Sequence, residues 1–261
     1  MSYAFRHGVE LPRLSYPELQ RAFGAIFEEL EDQGWFQAKL GKDCPDDPKD
    51  VGGVVLGKLG REAWPLSGAA RQEPEEWLFT FIEFAYQNVS KPTGSYYHKW
   101  DNCGIHVTAS DDAQGRREFR KRANALLSRY ERPHQLREDG EIWEAAPTGL
   151  ETIEVAPTGE QPIDSRVQSA IRSFRRHGAT EDDKRHAVRD LADILEYLRK
   201  SGGTQLPSKD EGELFNIANN FGIRHHNPQE KTNYSAGIWL DWIFYSYLNT
   251  IATLMRLRTK P

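Results

Sequence analysis

The residues best equipped for chemistry lie in FGIRHHN, 221–227, where a guanidinium and two imidazoles stand side by side just before a proline. Cleaving RNA without a metal requires three things: a base to take the proton from a ribose 2′-hydroxyl, an acid to protonate the leaving oxygen, and a cation for the charged phosphorus centre. Arg224, His225 and His226 supply those three functions. Leu214, Ile217, Ala218 and Phe221 recur at helical spacing, and the next steps of that stripe fall on Arg224 and His225. A buried arginine needs an anionic partner, so the stripe predicts an ion pair, a ligand or a cleft at that helix end. Pro228 stops the helix at Asn227. The plainer reading is structural: Arg224 and one histidine close the helix end on its last carbonyls or pair with an acid such as Asp241.

Two further groups compete for attention. In YYHKWDNCGIH, 96–106, His98, Cys103 and His106 are of zinc-ligand type, and Cys44 in GKDCPDD offers a fourth donor from a distant loop. His-x4-Cys-x2-His is not the spacing of a standard zinc module, and cysteine often serves as a small buried residue. The sequence reading therefore assigns no metal or other cofactor and holds Cys44, His98, Cys103 and His106 as an alternative. The second group is basic: Arg172, Arg175 and Arg176 stand with Arg166 and His177, followed by Arg185 and Arg189. They suit contacts to RNA phosphates. The same density also makes a solvated face with acidic partners four residues away, and no aromatics are interleaved for base stacking.

The elements that position these residues are mostly helical. Helices are expected near 17–33, 74–88 and 113–130, and HQLREDGEIWEA, 134–145, reads as a hairpin turning at Asp139-Gly140. Glycines and prolines between 41 and 67 suggest loop. APTG occurs twice in EAAPTGLETIEVAPTGEQP, which marks 146–162 as a linker between an amino-terminal domain, 1–145, and a carboxy-terminal bundle, 163–261. In the bundle, a first helix runs over 164–177, capped by Asp164 and stopped by Gly178. A second is opened by Thr180 with an acidic first turn and closed by Arg199, Lys200 and two glycines. A third spans about 210–226, and an aromatic fourth follows Tyr234.

Composition narrows the function classes. The net charge of −5 gives no global attraction to nucleic acid, so any polyanion site must be a local patch. The first residues, MSYAFRHGVELPRL, lack a signal peptide's apolar core, which points to the cytoplasm and to two reduced cysteines. GIWLDWIFYSYLNTIATLMRL is long enough to span a bilayer, but Asp241 would cost about 2.5–3.5 kcal/mol there. A buried bundle helix is expected instead, with no membrane partner. Dinucleotide, Walker-type and Gly-x-Ser-x-Gly motifs are absent, which disfavours nucleotide-driven and serine-hydrolase chemistry.

ATEDDKRHAVRDLADILEYLR, then LFNIANNFGIRHHN and a long aromatic helix, resembles the HEPN-type helical domains at the carboxy end of bacterial abortive-infection proteins. FRKRANALLSRYERPHQLREDGEI is similar to the connector before such domains, so the resemblance covers about 115–257. It implies a metal-independent endoribonuclease of antiphage defence, working as a homodimer in which two arginine-histidine sets meet. The family motif is an arginine, a polar residue, and a histidine four to six positions after the arginine. Arg224 and His225 match the first two; positions 228–230 hold no histidine, so His226 takes the last role from a different place. Inactive superfamily members imply the alternative, a non-catalytic dimerisation or sensing module for a protein or RNA trigger.

Overall fold

The computed structural model describes residues 11–47, 49–145, 150, 155, 157, 159–201, 212–214, 216–217 and 235–258. The chain is mostly helical and divides after Glu144 into two units, each with its own apolar core.

The amino-terminal unit is built on α1, Tyr16–Asp32. Its Leu19, Phe23, Phe27 and Leu30 recur at three- and four-residue steps and are fully buried. Ser15 opens the helix, its backbone N–H donating to the Glu18 carboxylate over 2.9 Å. Three short helices follow: α2 (Gln37–Leu40), α3 (Val51–Leu59) and α4 (Leu66–Ala70). Helix α3 and the first residues of α4 correct the loop expected over 41–67. The glycines of VGGVVLGKL do not break α3, because Asp50 caps its start by accepting from Gly53 N over 2.7 Å and buried Val51 and Val55 anchor one face. Gly60, at φ 74°, ends it in the left-handed conformation usual for such a cap. Helix α5, Glu75–Asn88, buries Leu78, Phe81, Ile82 and Ala85 beside α1 residues in the same core.

Strands β1 (Lys91–His98) and β2 (Gly104–Asp111) then form an antiparallel hairpin around a short 3₁₀ turn at Trp100–Asn102. This larger hairpin has no counterpart in the sequence expectations. Tyr96 lies opposite His106 and His98 opposite Gly104, so strand alternation puts Tyr96, His98 and His106 on one face. On the outer edge of β2, the Gln37 side-chain amide donates to Ile105 O over 2.8 Å and accepts from Val107 N over 2.9 Å. Helix α6, Asp112–Leu127, follows directly, with Asp111 as its cap. It comes so near the start of β1 that a Cβ on Gly115 would sit 2.7 Å from Lys91 N. The expected second hairpin is present as β3 (His134–Leu136) and β4 (Ile142–Glu144).

In the carboxy-terminal unit, α7 (Gln161–Arg175), α8 (Glu181–Lys200) and α9 (Ala236–Arg258) share one core. Helix α7 begins three residues before the expected cap: Pro162 occupies its first turn and Asp164 lies inside. It ends when Arg176 turns extended, ahead of Gly178. Val167, Ala170 and Phe174 of α7 and Val188, Leu191, Ile194, Leu195 and Leu198 of α8 recur at helical spacing and are buried, and Phe174 stacks on Phe244 of α9 at 3.8 Å between ring centroids. Thr180 caps α8 reciprocally with Asp183. Helix α9 is aromatic because it packs in the core along Leu240, Phe244, Tyr247 and Ile251. No helix among the described residues is long and apolar enough to cross a membrane. Residues 212–214 and 216–217 are helical, and Leu214 and Ile217 pack against this core.

Candidate functional site

Arg224, His225 and His226 lie outside the described residues. What the structure places is the start of their helical stripe: Leu214 and Ile217 face the carboxy-terminal core, and the Tyr247 hydroxyl donates to Leu214 O over 3.1 Å. Asp241, the acid suggested as a partner for Arg224, stands 3.8 Å from the Lys184 ammonium. Of the basic group on α7, Arg172 and Arg176 are exposed and Arg175 is half-buried. Arg176 pairs with Asp183 at 3.0 Å, while Arg166 reaches Asp190 at 2.9 Å and Asp193 at 3.5 Å. Part of this positive charge therefore ties α7 to α8, and intra-helical pairing occurs at Arg185 with Glu181.

The amino-terminal unit holds the tightest constellation of chemically able side chains among the described residues. One ligand-type atom from each of Cys44, His98, Cys103 and His106 lies within 4.8 Å of every other. Cys44 is buried in the turn Cys44-Pro45-Asp46-Asp47, closed by Asp47 N donating to Cys44 O over 3.1 Å, with Pro45 suited to the turn's second position. His98 ends β1, Cys103 follows the 3₁₀ turn, and His106 stands on β2. Between the last two, Gly104 takes φ 87°, a conformation that favours glycine. It sits opposite His98, where it adds no side chain to the cluster.

The polar atoms point inward. Cys44 Sγ is 3.6 Å from His98 Nδ1, and Cys103 Sγ is 3.0 Å from His106 Nε2. The two imidazoles meet edge to face at 5.2 Å, and Tyr96 stacks on the outer side of the His106 ring, also at 5.2 Å. His98 Nε2 faces the Asp46 carboxylate at 3.2 Å. An imidazole carrying its proton on Nε2 donates to that carboxylate and turns its Nδ1 lone pair toward the Cys44 thiol. Partial burial, then the neighbouring Cys44 thiol, pushes the Cys103 pKa up. Burial, then the positive charge of Lys42, pushes that of His106 down. All four donors thus converge on a volume suited to one soft or borderline cation.

These four residues stand out in the sequence by type, and their geometry does not. A hairpin assignment for 91–111 brings His98 and His106 to one face; Asp46 and Gln37 carry no motif and become visible only in three dimensions. No known protein family, curated protein or solved structure matches the chain.

Proposed function

We propose that the chain is a metal-independent endoribonuclease of antiphage defence, acting through a HEPN-like carboxy-terminal bundle in which Arg224 steadies the phosphate and His225 and His226 share acid and base duties. The observation that carries this reading is the anchoring of Leu214 and Ile217 on the bundle core. In the sequence the same three- and four-residue spacing leads on from Leu214 and Ile217 to Arg224 and His225, which lie outside the described residues. Neutral-pH imidazoles can serve in either protonation state, and an arginine stays charged throughout, which meets the needs of phosphodiester cleavage.

A homodimer is part of the proposal. Ile238, Trp239 and Trp242 are 70, 40 and 48% exposed near the start of α9, an apolar surface of the kind a symmetric interface covers. Incubating the purified chain with total RNA in EDTA, beside a variant with both His225→Ala and His226→Ala, tests the activity. Cleavage that disappears in the variant is expected. Absence of cleavage by the unaltered chain sinks the nuclease reading and leaves the alternative, a bundle that dimerises or senses a protein or RNA trigger without catalysis.

A further inference from the structure

We propose that Cys44, His98, Cys103 and His106 bind one Zn²⁺ in a closed, four-ligand site that fastens the 41–47 loop to the β1–β2 hairpin. The inference is independent of the nuclease reading, since every ligand belongs to the amino-terminal unit. At ordinary Zn–S and Zn–N lengths the corners of a tetrahedral S₂N₂ site are about 3.3–3.8 Å apart. The Cys103–His106 and Cys44–His98 donor separations, 3.0 and 3.6 Å, and the 4.8 Å that bounds the whole group bracket that range. Two thiols and two imidazoles form a donor set that selects zinc over magnesium or calcium, which prefer oxygen. Binding releases the two thiol protons to solvent and takes both imidazoles neutral, so two thiolates balance the dication.

Asp46 supplies what a bare ligand cluster would lack. Its carboxylate accepts from His98 Nε2–H, the outer hydrogen bond that fixes a ligating imidazole in place. Four protein donors leave no position for water or substrate, so the ion's role is structural. The hairpin has reason to need it. Its strands carry no fully buried residue, and an isolated two-stranded ribbon is marginal in water. Cys44 is 54 positions from His98, so the ion closes a long loop of the unfolded chain.

The competing arrangement of the same atoms is a Cys44–Cys103 disulfide, which would leave the imidazoles without a ligand role. The untagged full-length chain, purified under reducing conditions without chelator, separates the two. One zinc per chain is expected by elemental analysis, with X-ray absorption at the zinc edge giving two sulfur and two nitrogen neighbours. Zinc should fall to background in Cys103→Ser. In Asp46→Asn it should still bind, with affinity reduced about 10–100-fold as for other outer-shell partners. The proposal is overturned if the unaltered, reduced chain stays far below stoichiometric zinc even after incubation with equimolar zinc chloride. It is equally overturned if the cysteines are recovered as a disulfide, or if the bound ion has fewer than two sulfur neighbours. Unchanged affinity in Asp46→Asn overturns the role given to Asp46.

Discussion

Asp183 shows how one side chain can serve two ends of a structure. It accepts from Thr180 N at 2.9 Å and Thr180 Oγ1 at 2.8 Å, closing the start of α8, and it holds Arg176 at the end of α7. Those bonds, led by the backbone N–H, lower its pKa to about 2. A carboxyl group held below its unfolded value stabilises the fold above that value and loses its contribution as pH falls through the folded one. Urea melts of the carboxy-terminal unit taken from about pH 5 to about pH 2 should therefore show stability falling with pH, and Asp183→Asn should flatten that dependence over the same window. The Thr180 cap was legible in the sequence, because cap and acidic first turn are neighbours along the chain. The Arg176 and Asp46 contacts were not: each depends on which way a turn leads the backbone, and no periodicity encodes that.

Among the elements, helices with a continuous apolar stripe were legible to within a few residues, as α1, α5, α8 and α9 show, because one buried face imposes the 3.6-residue repeat on composition. The β1–β2 hairpin escaped because neither strand has a buried face to impose alternation. Helix α3 escaped because its three glycines read as breakers, whereas its cap and two valines decide the outcome. The seating of α6 on β1 gives a prediction at this level. Replacing Gly115 with alanine gains up to about 1 kcal/mol of helix propensity. The added methyl meets the Lys91 backbone N at 2.7 Å and Ser90 Cα at 2.9 Å, main-chain atoms that cannot rotate away. Overpacking of this kind costs about 1–3 kcal/mol, so Gly115→Ala should lower the denaturation midpoint of the amino-terminal unit.

For the whole molecule, two separate cores mean two cooperative units. Calorimetry should resolve two transitions, and a strong zinc chelator should lower the one belonging to the amino-terminal unit while leaving the other in place. A chelator that moves neither transition, or both equally, contradicts the placement of the ion. The Gln37 amide has a final implication for assembly. By filling the middle of the outer margin of β2, it denies that side to any incoming chain. A strand arriving on that side would first have to displace both bonds of the amide.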